Sequence, residues 1–168
     1  NDETKRATCA PCPVGRFYEG TGATVCSVCP AGSFQKFTGQ STCEKCAKGY
    51  YSLPGQTELC LACAYGEFNN VTGSQGCLKC EAGTHQNQKG QDSCKLCPAG
   101  KSTLSEGKRE CDECAPGKYS NETGRLTCLA CPKGSFQSVV GSDHCQPCAA
   151  GDANLFESQA ACLACVPG

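Results

Sequence analysis

The sequence predicts a small disulfide-rich fold, mostly irregular with short β-hairpins, in which tandem 17-residue repeats build an elongated solenoid or rod. Three observations carry this expectation. Of 168 residues, 20 are cysteine and 20 are glycine. Every cysteine belongs to a C-x-x-C pair, and the pairs advance by 17 residues from Cys9 to Cys162 without a slip. Leu, Val and Phe together number 23, with no Ile, Met or Trp, well below the roughly 20 % of large apolar residues that a conventional core needs. Packing alone therefore cannot offset the entropy of ordering this chain, and a covalent or metallic constraint must supply the difference.

The cysteine frame organises the whole chain. With the first Cys of a pair as position 1, position 7 is Gly in all ten repeats, from Gly15 and Gly32 to Gly168. Position 9 is aromatic at Phe17, Phe34, Tyr51, Phe68, Tyr119 and Phe136, and position 14 is Gly in seven of nine repeats. Residues 1–8 read as the end of a preceding repeat, 9–161 as nine tandem repeats, and 162–168 as the start of a further one. The segment thus reads as a stretch of a longer array.

Within one repeat, an always-Gly position implies positive φ or a close backbone approach. The run after it, such as Gly32-Ser33-Phe34, can form a brief strand. The Gly at position 14, with Thr, Asn or Ser nearby, marks a turn, and the residues before the next Cys can return as a second strand. The aromatic is expected to lie over a disulfide and to supply most of the apolar burial. Seventeen residues cannot fold alone, so each repeat must lean on its neighbours in a quasi-one-dimensional array. Ten stacked repeats would span roughly 100 Å or more, whereas a globule of this length would have a radius of gyration of about 15 Å.

Several thiol chemistries fit tandem C-x-x-C. Two pairs can make a four-cysteine zinc site, C-x2-C-x13-C-x2-C, giving five sites. Closure within one C-x-x-C makes a ring that constrains almost nothing. A crossed pairing joins Cys9 to Cys26 and Cys12 to Cys29. A ladder joins the second Cys of one repeat to the first of the next: Cys12–Cys26, Cys29–Cys43, Cys46–Cys60, Cys63–Cys77, Cys80–Cys94, Cys97–Cys111, Cys114–Cys128, Cys131–Cys145 and Cys148–Cys162. The ladder is preferred, because it closes every hairpin at its base and treats all repeats alike, while zinc and crossed pairing divide similar repeats into two classes. It leaves Cys9 and Cys165 single. Each closed loop of about 15 residues is worth roughly 3 kcal/mol in the chain-entropy account.

Other classes are disfavoured. Net charge is −1, from 15 basic and 16 acidic residues that do not cluster, so no basic stripe exists to track a nucleic-acid backbone. No apolar run approaches the ~18 residues of a membrane span. The chain opens on Asn1 with no leader or lipidation motif and reads as a mature or excised segment. Twenty thiols held as disulfides imply an oxidising, extracellular compartment. Two sequons agree with that placement: Asn70-Val71-Thr72 and Asn121-Glu122-Thr123, both with Asn at position 11.

The pattern C-P-x-G-x-F/Y, followed by a Gly turn and C-x-x-C, resembles the ephrin-receptor-like cysteine-rich repeats across essentially the whole chain. The loop from Cys12 through Pro13, Gly15 and Phe17 to Cys26 is also similar to the first module of a tumour necrosis factor receptor cysteine-rich domain. That resemblance implies a single disulfide closing the loop and supports Cys12–Cys26 and Cys29–Cys43. His85, Ser102 and Ala153 depart from the aromatic, the repeat from Cys145 lacks the turn Gly, and Gly55 is displaced by one place. Such repeats would be looser or would host lateral contacts. Long arrays of this family in algae and protists include components of flagellar hair filaments, the mastigonemes, and a regular array fits a filament protein by fold-level analogy.

No enzyme, metal site or cofactor is expected. His85 reads as a packing substitute and His144 as a solvated loop residue. Asp143-His144-Cys145 offers an acid, a base and a thiol, but Cys145 lies in the ladder and would be oxidised. Asp2, Glu3, Glu106, Glu110, Asp112 and Glu113 read as solvated faces, and the G-x-G at Gly20 and Gly22 as a hairpin turn. Two functions remain. One is a rigid extracellular stalk or filament component that assembles with other subunits or copies of itself and carries attached glycans. The alternative is a ligand-binding or adhesion ectodomain. A receptor usually shows exposed Trp, Tyr and Arg anchors, and the absence of Trp and of insertions favours the structural reading.

Overall fold

A computed structural model describes residues 10–20, 25–55 and 57–165. Among these residues there is no helix. Eighteen two-residue strands run from Arg16–Phe17 to Leu163–Ala164, and each pairs with its neighbour in the chain to form a two-stranded sheet. The pairings are antiparallel, as in Ser33↔Lys45 with Phe34↔Glu44 and Lys118↔Ala130 with Tyr119↔Leu129. One strand follows position 7, and the other lies between the two cysteines of the next pair.

The turn that opens each hairpin follows from its sequence. In Pro30-Ala31-Gly32-Ser33 the Ser33 N–H donates to the Pro30 carbonyl at 3.0 Å, and Gly32 has φ +81°. That is a type II turn, whose third residue needs positive φ and therefore glycine. The hairpin is closed at its base by Cys46 N–H donating to the Gly32 carbonyl at 2.9 Å, and the same bond recurs in each later repeat.

Nine disulfides join cysteines 14 residues apart: Cys12–Cys26, Cys29–Cys43, Cys46–Cys60, Cys63–Cys77, Cys80–Cys94, Cys97–Cys111, Cys114–Cys128, Cys131–Cys145 and Cys148–Cys162. Cys165 is free and exposed, and Cys9 lies outside the described residues.

Contacts group the chain into two compact bodies. One comprises Asn1–Ala64, Phe68–Leu78 and Lys89–Ser93, and the other Tyr65–Glu67, Lys79–Gln88 and Cys94–Gly168. In the first body Cys12, Cys29, Cys46 and Cys63 are buried, as are Gln35, Ser52, Thr57 and Asn69. In the second, Cys80, Cys97, Cys114 and Cys131 are buried with Gln86, Thr103, Ser120, Gln137 and Asn154. The core is thus made of half-cystines and polar side chains. This corrects the expectation that the aromatics supply most of the burial. Phe34, Tyr51, Phe68, Tyr119 and Phe136 are only half-buried, because a strand of two residues leaves one side of each ring without a covering layer.

Candidate functional site

The recurring structure that can carry a function is the junction between consecutive repeats, together with the hairpin tips that project from it. Three backbone hydrogen bonds make each junction whose residues are all described. The position 7 Gly N–H donates to the position 10 carbonyl of the next repeat: Gly15 to Gln35 at 2.7 Å, Gly66 to Gln86 at 2.8 Å and Gly134 to Asn154 at 2.9 Å. The position 10 N–H donates onward to position 15, as in Gln35 to Thr57 at 2.8 Å and Gln137 to Gln159 at 3.1 Å. The position 14 N–H returns to the carbonyl of the buried cysteine one repeat earlier, as in Gly73 to Cys46 and Gly107 to Cys80, both at 2.8 Å. Each such bond contributes about 1 kcal/mol net.

Contact also reaches two repeats ahead. A Cβ on Gly32 would overlap the carbonyl oxygen of Gly73, and one on Gly100 would overlap that of Gly141. At Gly32, Gly49, Gly66, Gly83, Gly100 and Gly117 position 7 is therefore glycine for two reasons at once, positive φ and lack of room. Position 14 needs positive φ as well. In the repeat from Cys145, which lacks this glycine, Ser158 takes φ +60° and still donates to the Cys131 carbonyl at 3.0 Å.

Position 10 was missed by sequence reasoning and forms the polar half of the core. Gln137 Nε2 donates to the His144 carbonyl at 2.8 Å, and its Oε1 accepts the Val139 N–H at 2.9 Å. Gln35 does the same with Thr42 and Phe37. The shorter Asn69, Ser52 and Asn154 instead reach back to the carbonyls of Tyr50, Ser33 and Ser135 in the preceding repeat. A signal was present: position 10 is polar in every repeat from Gln35 onward, and Gln recurs there every third repeat.

The aromatic slot faces a disulfide at two of its substituted positions. His85 Nδ1 lies 3.4 Å from Cys111 Sγ, and Ser102 Oγ lies 3.2 Å from Cys128 Sγ. His85, Cys97 and Cys111 are close enough to share a cation, but the Cys97–Cys111 bridge leaves no thiolate to bind one. The sequence triplet at 143–145 is not a nucleophilic site, because Cys145 is bridged to Cys131. His144 Nδ1 sits 2.6 Å from Asp143 Oδ1, and this hydrogen bond holds the exposed Asp143 carboxyl below its ordinary range. Of the acidic residues, Glu113 pairs with its cross-strand partner Lys101 at 3.1 Å and Asp112 with Lys108 at 2.9 Å. Both are solvent-screened pairs of small energetic weight. Asp2, Glu3 and Gly22 lie outside the described residues.

The hairpin tips carry the remaining candidates. Asn70 and Asn121 are exposed, as are Val71, Thr72, Glu122 and Thr123 beside them. Other tips carry apolar side chains in solvent: Phe37, Leu104 and Leu155 are 56 %, 66 % and 73 % exposed. No helix is long and apolar enough to cross a membrane among the described residues.

The repeat geometry, with its C-x-x-C frame, turn glycine and 14-residue disulfide loop, agrees with a family match. The family model described as tyrosine-protein kinase ephrin type A/B receptor-like matches residues 66–114, 102–144 and 117–155, together more than half of the chain. The chain belongs to the ephrin-receptor-like family of cysteine-rich repeats. No curated protein matches the chain. The three family matches overlap in tandem within the region of the disulfide ladder, and each spans more than two of the 17-residue repeats.

Proposed function

We propose that this ephrin-receptor-like array is an extracellular structural element, a stalk or filament component that carries no catalytic activity. The observation that carries the reading is the recurrence of one backbone junction, position 7 N–H to position 10 carbonyl, at eight consecutive repeats within 2.7–3.0 Å. The same junction recurs within each body, and each disulfide closes one hairpin loop at a sequence separation of 14. The bridges also require an oxidising compartment, so the chain works outside the cell or on its surface, as a flagellar hair or cell-surface fibre would. Asn70 and Asn121 are its N-glycan acceptors. Its partners are other subunits or further copies, without nucleic acid.

A second reading, a ligand-binding or adhesion ectodomain, is favoured by the solvent-exposed apolar tips at Phe37, Leu104 and Leu155. Electron microscopy of native material, with antibodies against this chain, separates the two. Labelled ordered fibres support the stalk. A dispersed ectodomain that captures a soluble ligand supports the receptor and overturns the stalk. Small-angle scattering of the purified chain is expected to give a radius of gyration well above the ~15 Å of a globule of this length.

A further inference from the structure

The aromatic slot at position 9 carries a metal-ligating nitrogen in one repeat. His85 stands there in place of a Phe or Tyr ring, and its Nδ1 lies 3.4 Å from Cys111 Sγ, 26 residues further along. Ser102 meets Cys128 at the same offset, but with a neutral hydroxyl that is a poor ligand for soft cations. Cys111 is set apart as well. It is 7 % exposed, whereas the other bridged half-cystines at position 1, from Cys26 to Cys162, are half-buried. Its partner Cys97 is fully buried, and His85, Cys97 and Cys111 all belong to the second body.

The spacing of the three suits a small tetrahedral cation. One ring nitrogen and the two sulfurs lie within 4.8 Å of one another, the one such trio among the described residues. From metal–ligand bonds of about 2.3 Å to sulfur and about 2.0 Å to nitrogen, tetrahedral zinc sets sulfurs about 3.8 Å apart and sulfur and nitrogen about 3.6 Å apart. The His85–Cys111 edge is already near that value. The Cys97 and Cys111 Cα atoms are 5.7 Å apart, so with the sulfurs no longer bonded, side-chain rotation alone brings them to that spacing. While the bridge is closed there is no thiolate and no site.

We propose that His85, Cys97 and Cys111 form a zinc site that exists only when the Cys97–Cys111 bridge is open. The bridge opens by two electrons from a dithiol, which ends as its own disulfide and delivers two protons to the sulfurs. Zinc then displaces those two protons and takes neutral His85 as its third ligand, with water in the fourth position. Bound zinc holds this dithiol open against oxidation, by mass action. The other eight bridges have no imidazole at their sulfurs among the described residues and re-close regardless of the metal. The array thus contains one link whose closure depends on zinc. This goes beyond the stalk reading and does not depend on it.

The test starts from the purified chain with its free thiols blocked. A limiting amount of a water-soluble trialkylphosphine opens a fraction of the bridges, ending as the phosphine oxide with oxygen from water. The chain is then returned to oxidised glutathione with and without zinc chloride, and open cysteines are alkylated over time and mapped by peptide mass spectrometry. At free zinc ten times the dissociation constant, closure of Cys97–Cys111 is expected to slow about tenfold, with the other bridges unchanged. His85→Phe restores the ring found at Phe34, Phe68 and Phe136, and is expected to remove the zinc effect while leaving closure without zinc intact. Cobalt(II), used as a spectroscopic probe on the partly opened chain, is expected to give tetrahedral absorption with a thiolate charge-transfer band that His85→Phe loses. Zinc that slows all bridges alike, slows none, or acts equally on the His85→Phe chain overturns the site.

Discussion

Gly100 faces the carbonyl oxygen of Gly141, two repeats further along, with no space between them for a methyl group. Gly141 itself has φ +71°, but a Cβ there would meet only the flexible Glu113 side chain at ordinary contact distance. The pair separates the conformational from the steric requirement for glycine. Gly141→Ala is expected to cost about 1–2 kcal/mol, the penalty for left-handed backbone in an L-residue. Gly100→Ala adds a backbone collision that the disulfides hold in place, and is expected to cost about 3 kcal/mol or more. Denaturant midpoints of the two variants, under non-reducing conditions, measure the difference, and equal losses would show that the two-repeat contact carries no weight.

Gln137 is the clearest test of the polar core. Gln137→Leu keeps volume but leaves the Val139 N–H and the His144 carbonyl without their partner, at a cost of about 1–3 kcal/mol. Gln137→Asn is expected to lose less, because Asn69 and Asn154 show that the slot accepts an asparagine that bonds to the preceding repeat. Hydrogen exchange at Val139 reports the effect directly, and unchanged protection in the leucine variant would count against it.

Ser158 holds φ +60° where other repeats have glycine. Ser158→Gly is expected to stabilise the chain by up to about 1 kcal/mol, since relief of the left-handed strain exceeds the added freedom of the unfolded chain. A raised thermal midpoint is the expected observation, and a lowered one would mean that the serine makes a compensating contact.

Asn70 and Asn121 stand in solvent at hairpin tips, so both are expected to carry N-glycans on material secreted by a eukaryotic host. Enzymatic removal of N-glycans should convert both to Asp and lower the intact mass by two glycan units. Asn70→Gln and Asn121→Gln should each remove one, without altering the disulfide map. Unmodified secreted protein would exclude these sites.

The repeat frame, the hairpin, the turn glycine and the family were legible in the sequence because each depends on local chemistry. Cysteine spacing sets loop length, position 7 needs positive φ, and both recur every 17 residues. The place of the core was not legible. Gln35, Ser52, Asn69 and Thr103 share only a polar character, which in a single repeat reads as surface. They become interior because the next repeat lays its backbone across them, and their side chains then satisfy carbonyl and N–H groups of neighbouring hairpin backbone. The tertiary structure likewise decided why Gly100 has a second reason to be glycine. Those facts belong to contacts between repeats one and two periods apart, which a 17-residue pattern encodes only after it is stacked.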